Sequence, residues 1–448
     1  MTLTKIFTTY KTLYALPALL LLSLASCEKF VDIPKAPNQL LVSDAYKEDA
    51  TAMSAVLALY SNAVTNNVLA NVTFCGGIES DEMVYNQASD ASLVEFQNAA
   101  VSPTNSTVAN YLWGSTYQAI GKANVAIDGL NNSTTLTPSL KTQLLGECKF
   151  FRAFNYFYLV NYFGDVPLAL NADGSKDAYL PRTKSDSVYA QMMTDLKDAE
   201  NSLPAAYANS PRTRVNKYAA AALLARVYLF KNDYTNAAAE ASKVIGATDI
   251  SYGMEPVETS FLTSSKEVVL QIATTSAASN LPIFGTAYMQ SQQFQLAPNF
   301  TNGFEAGDKR KTNWTQGSLI SKYKLGGNEY NITLRLAEQY LIRAEARAQL
   351  NQLSDAKSDI DSIRTRAGLA PTTASTQQAI LDQVAKERKL ELFGEFAHRW
   401  FDLKRTGKST EVLSPLKPGW KATAVLQPVP QTERTKNANL TQNEGYAQ

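Results

Sequence analysis

The sequence predicts a mainly α protein in which helix-turn-helix pairs pack together, joined by long irregular loops and a few short strands. Three observations lead there. Apolar residues recur at helical spacing over most of the chain, while convincing alternating stretches are few. Two separate segments, residues 219–245 and 336–367, repeat one internal pattern. Between them lies a long polar stretch, residues 251–329, in which no such period holds.

The chain opens on a different signal. Lys5 and Lys11 are the only charges before Cys27, an apolar run covers residues 13–24, and Leu24-Ala25-Ser26-Cys27 follows. That run is too short, and too soon followed by charge, to span a bilayer, so residues 1–26 read as a secretion signal. The tetrad resembles the lipobox of bacterial lipoproteins, where small residues admit the processing enzyme and the cysteine thiol is alkylated. Cys27 is therefore the expected lipidation site and first mature residue. At about 0.8 kcal/mol per buried methylene, two or more acyl chains anchor a protein without a spanning helix.

Helices are expected over residues 44–62 and 110–130, the latter with Trp113, Tyr117, Ile120, Asn124 and Ile127 along one face. Residues 144–163 are aromatic almost all round, which marks a buried helix, and Gly164-Asp165-Val166-Pro167 stops it. Residues 185–203 open on a Ser/Asp capping signal and close before Pro204. In residues 219–245, Leu224, Ala225, Tyr228 and Ala237 take positions like those of a tetratricopeptide unit, with Asn232-Asp233 at the turn. Residues 336–367 repeat the twelve-residue gap, between Ala344 and Ala356. One helix pair cannot bury its apolar face alone, so stacked pairs are implied. The irregular stretch is expected to form a functional surface with short strands, one near residues 268–272. Residues 27–235 and 236–448 are expected to be two regions packed as one body.

Composition narrows the function. Without Lys5 and Lys11 the chain keeps 40 basic against 41 acidic residues, a net charge of −1. This leaves no electrostatic footprint for nucleic acid and no polybasic membrane patch. His398 is the only histidine, so no histidine cluster for a metal forms, and no cofactor is called for. Cys75 and Cys148 are expected to be unpaired core thiols. Glu387, Glu391 and Glu395, four residues apart on the last long helix, form a possible acid–base set of a glycoside hydrolase. Interleaved Arg388 and Arg399, with Leu390, Leu392 and Phe393, favour an ion-pair and packing seam instead.

These residues add up to a family. The chain resembles the SusD/RagB family of outer-membrane nutrient-binding lipoproteins along nearly its whole mature length. Cys27-Glu28-Lys29-Phe30-Val31-Asp32, Trp113-x3-Tyr117-x2-Ile120 with Asn124, and Glu147-x4-Arg152-Ala153-Phe154 carry the first part. Tyr162-Phe163-Gly164-Asp165-Val166-Pro167-Leu168, Ala225-Arg226-Val227-Tyr228-Leu229, Arg343-Ala344-Glu345-Ala346 and Arg364-x-Arg366-Ala367-Gly368-Leu369 continue it. Glu387-Arg388-x2-Glu391-Leu392-x2-Glu395-x2-His398-Arg399-Trp400-Phe401-Asp402-Leu403-x-Arg405 and Pro428-x-Pro430-x2-Glu433 complete the series. At the close, Glu444 replaces the proline of the family's Asn-Pro-Gly-Tyr.

The resemblance implies a SusD-like fold with a tetratricopeptide-like body, on the surface of a Bacteroidetes-type cell. It also implies a lid on a SusC-like TonB-dependent transporter and capture of oligosaccharide, or of peptide in the RagB branch, rather than catalysis. Sugars stack their C–H faces on aromatic rings and bond their hydroxyls to amides, carboxylates and guanidinia. Two windows supply that mixture: Asp81, Tyr85, Asn86 and Phe96 in the first, and Tyr288, Phe300, Asn302, Phe304, Arg310, Trp314 and Tyr323 in the second. Trp314, between polar neighbours, is the ring expected to stand most exposed.

Overall fold

The helix Pro138–Phe163 organises the fold because its second half turns no face to water: every residue from Phe150 to Val160 is buried. Pro138 starts it at the position where a missing N–H costs nothing, and Gly164, at φ +72°, ends it. The computed structural model describes residues 42–447 apart from 66–67, 209–210, 274–280 and 327. Cys27, its tetrad and the expected signal lie outside the described residues.

The longer elements follow in chain order. α1 (Asp49–Thr65), α2 (Val68–Glu79), β1 (Met83–Tyr85) and α3 (Ala91–Gln97) come first. A π-helical turn, Val108–Ser115, runs into α4 (Thr116–Asn132), then α5 (Pro138–Phe163), α6 (Ser185–Ser202), α7 (Lys217–Phe230) and α8 (Tyr234–Ile245). β2 (Val268–Ile272), β3 (Phe294–Leu296), α9 (Lys309–Trp314), β4 (Thr315–Gln316) and β5 (Leu319–Ile320) occupy the irregular stretch. β6 (Asn331–Arg335) leads into α10 (Leu336–Gln349), α11 (Leu353–Arg366), α12 (Gln377–Glu391), α13 (His398–Arg405), α14 (Ser409–Leu413) and α15 (Gln431–Lys436). Ala45–Gln448 form one compact unit, and the boundary expected at residue 235 falls inside α8.

α5 lies between α4 and α6. Its one buried cation, Arg152, is neutralised by Asp195 at 2.7 and 2.8 Å and reaches Asn124 Oδ1 at 3.0 Å. Both repeat segments are helix pairs. In the first, Asn232 at φ +57° makes the turn and Asp233 caps α8. In the second, Asn351 at φ +60° does the same between α10 and α11. Ala225, Ala237, Ala344 and Ala356 are fully buried, and α8 packs on α10, so the two pairs stack. Cys75 and Cys148 are buried and unpaired.

Three two-stranded antiparallel sheets pin the irregular stretch: β1 with β3, β2 with β6, and the β4–β5 hairpin. β2, fully buried, ties that stretch to the strand that opens the second helix pair. The last long helix is not continuous, which corrects the sequence expectation. α12 ends at Glu391, and Gly394 (φ +71°), Phe396 and Ala397 adopt left-handed conformations before α13 begins. The break is held from outside: Gly394 N–H donates to Glu82 Oε1 and its carbonyl accepts from Tyr288, each at 2.9 Å. Glu395 therefore leaves the helical face shared by Glu387 and Glu391. No helix among the described residues is long and apolar enough to cross a membrane.

Candidate ligand-binding site

The rings expected to meet ligand are mostly turned inward. Trp314 is 1% exposed, with its Nε1–H on the Val257 carbonyl at 2.9 Å and its face edge-on to Phe261 at 5.5 Å. Tyr323 packs on Phe261, Tyr288 donates to Gly394, and Phe300 and Phe304 close on Phe393. Phe96 is fully buried; Tyr85 leans on Phe294 and shares a hydroxyl bond with Ser89. Arg310 is fully buried too, while Lys309 and Lys311 beside it are exposed. Asn86 and Asn302 are exposed, Asn302 bonding only its neighbour Asn299. These rings sit among polar residues in sequence, yet burying an aromatic face releases water from more area than its neighbours' polar atoms lose.

Asp81 is a structural anchor. Its side chain is 9% exposed and is held by Arg399 at 2.6 and 3.0 Å and by Lys389 at 2.7 Å. Burial pushes its carboxyl up, but the two cations outweigh it and hold the pKa at about 2. A folded-state pKa below the unfolded value stabilises above about pH 4, and that stability is lost as pH falls toward 2. The expected contribution at neutral pH is about 2 kcal/mol. Asp81→Asn should remove it, so unfolding free energies of the variant in urea should fall less steeply than wild type between about pH 4 and 2, Glu305 and other paired carboxylates supplying the rest.

The glutamate seam is also interior. Arg335 bonds Glu267 (2.7 Å), Glu391 (2.6 Å) and Glu395 (2.8 Å). Arg310 bonds Asp308 and Glu387, each at 2.8 Å; Arg364 reaches Glu387 at 2.9 Å, and Arg366 also pairs with Glu391. Lys322 holds Glu395 at 2.5 Å and lies 4.1 Å over the Phe393 ring; burial pulls its pKa down to about 8. Burial raises the pKa of Glu391 and Glu395, but the guanidinia more than offset it and keep both ionised. Glu387, Glu391 and Glu395 are thus buried and paired with cations rather than open to a cleft. His398 is buried as well, its pKa lowered by burial and by surrounding cations.

An open cleft lies elsewhere, with a volume of about 490 Å³, within the range of small-ligand sites. Trp113 and Tyr117 form its floor, their rings 5.1 Å apart, with Trp113 edge-on to Phe163 at 4.9 Å. One wall runs through Pro167 and Ala169. Tyr117 donates to the Pro167 carbonyl (2.8 Å) and Asn124 to the Ala169 carbonyl (3.0 Å), which fastens that wall to α4. The wall turns at residues 171–179, where Asp173 accepts from Ser175 and Asp177 from Asn171. Asn437 and Asn439 then bind the Leu180 and Tyr179 carbonyls at 2.9 and 2.8 Å.

At the rim, Tyr179 is 68% exposed, and its hydroxyl makes no hydrogen bond among the described residues. The facing rim carries the Glu433–Lys436 ion pair at 2.8 Å. Trp113, Tyr117 and Asn124 were legible in the sequence as one face of a helix. Tyr179 was missed, although an aromatic among Gly, Ser and Asp just before Pro181 is the signal that marks such a loop-borne ring.

Comparison with known proteins agrees with this architecture. The family profile described as "Starch-binding associating with outer membrane" matches residues 38–229, and that described as "SusD family" matches residues 288–446. SusD-like protein P2 of Formosa agariphila is 28% identical over 510 residues, covering 95% of this chain and 98% of the relative. Starch-binding protein SusD of Bacteroides thetaiotaomicron is 37% identical over 121 residues, 25% of this chain and 21% of that one. Among solved structures, a laminarin-binding SusD-like protein superposes with a TM-score of 0.75 at 25% identity, covering 90% of this chain and all of that one. A SusD superfamily protein from Bacteroides vulgatus gives 0.79 at 18% identity, covering 89% and 99%. With two profiles matched in order along the chain and the stacked helix pairs and α5 where the motifs require them, the chain belongs to the SusD/RagB family.

Proposed function

We propose that this chain is a glycan-binding lipoprotein of the outer membrane. Anchored through Cys27 and facing the outside of the cell, it captures oligosaccharide and passes it to a SusC-like TonB-dependent transporter. The match of residues 38–229 to a profile described as starch-binding carries the reading, and the laminarin-binding structural relative supports it. Binding without hydrolysis fits the seam, because Glu387, Glu391 and Glu395 are neutralised by buried guanidinia. Nothing in the described residues favours a peptide ligand over a saccharide.

Calorimetric titration of the full chain in detergent, with oligosaccharides and with peptides, tests the reading. Saccharide should bind with no new reducing ends released. Binding of peptide alone would move the chain to the RagB-like branch, and release of reducing sugar would overturn the binding assignment. Cys27→Ala should leave the protein unlabelled by fatty acid and no longer in the membrane fraction.

A further inference from the structure

Resting on the glycan-binding reading, we infer that the cleft between α4 and the 171–179 turn is the saccharide site, and that it takes a neutral sugar against the Tyr179 ring. A tyrosine 68% exposed has its apolar face in water, an arrangement that becomes favourable when a ligand covers the ring. The backbone that carries the ring is held: the Tyr179 carbonyl is bound by Asn439, the next carbonyl by Asn437, and two aspartates brace the preceding turn. The loop is preorganised, so little backbone entropy is lost when a ligand lands on it.

The chemistry of the lining selects the ligand. A sugar ring offers C–H faces to the aromatic ring and hydroxyls to the unbonded phenol. The one cation lining the cleft, Lys436, is paired with Glu433, and Asp177 is bonded by Asn171 but by no cation. The lining therefore carries negative charge in excess of positive, which disfavours an anionic ligand. The space itself is open: a Cβ added at Gly121, on α4, or at Gly174, on the turn, meets no atom within 4 Å. The volume of about 490 Å³ suits a short stretch of saccharide rather than a polymer laid full length.

Gly121 supplies the test. Tryptophan is a better helix former than glycine, so Gly121→Trp fills the cleft without loosening α4. The full chain in detergent, as wild type, Gly121→Trp, Tyr179→Ala and Tyr179→Trp, is titrated with laminarihexaose, maltohexaose, cellohexaose and sulfated counterparts. Wild type should bind a neutral hexaose. Gly121→Trp and Tyr179→Ala should weaken it by about tenfold or more with unchanged thermal midpoints, and Tyr179→Trp should restore it. Unchanged affinity in both weakening variants overturns the site while the glycan reading stands. Preference for the sulfated sugars overturns neutrality. Wild type that binds peptide only, or none of these sugars, removes both the site and the reading beneath it.

Discussion

Arg335→Met is expected to cost about 3–5 kcal/mol of unfolding free energy. Arg335 lies at the end of β6, 2% exposed, between Glu267, Glu391 and Glu395. Its removal leaves three buried carboxylates facing one another with only Arg310, Arg366 and Lys322 nearby. The cost arises because the three buried carboxylates lose the one cation they share and its hydrogen bonds, so a second change should return part of it. Arg335→Met with Glu395→Gln should be more stable than Arg335→Met alone. Urea midpoints of the two variants and wild type make the comparison. A midpoint for the single variant within error of wild type would show that the seam contributes little to holding the irregular stretch on the helices.

Trp314→Ala is expected to cost about 3–5 kcal/mol as well, for a different reason. The indole fills space between Phe261 and Phe393 and satisfies the Val257 carbonyl, so truncation leaves a cavity and an unpaired acceptor. The sequence places this ring in a polar loop and suggests a ligand platform; the fold makes it a keystone. The two roles separate cleanly. A structural Trp314 lowers the thermal midpoint by several degrees and leaves saccharide affinity unchanged in the folded fraction. A ligand-contacting Trp314 would show the reverse, a fall in affinity at an unchanged midpoint.

The contrast between these residues and the helix pairs shows where sequence reading succeeds. Ala225, Ala237, Ala344 and Ala356 were legible because helical packing repeats locally: a small residue every few turns, with Asn232-Asp233 at the first pair's turn, has one economical meaning. The same holds for the second half of α5, whose aromatic residues cover every side of the helix and are buried from Phe150 to Val160. Trp314 and Tyr323 carry no such local code. Their burial depends on Phe261, Phe284 and Phe393, brought in from distant parts of the chain. The break at Gly394 is of the same kind. A glycine tolerates a helix interior, and only Glu82 and Tyr288, pulling on its N–H and carbonyl, make the left-handed turn the lower state.

By itself, then, the sequence determined the mainly α architecture, the two stacked pairs, the central aromatic helix and the family, because each is written in short-range periodicity or in ordered motifs. Only the tertiary structure decided which aromatics face water. Exposure is set by what packs across from a side chain, and that partner is chosen by the fold: Phe261 for Trp314, and solvent for Tyr179.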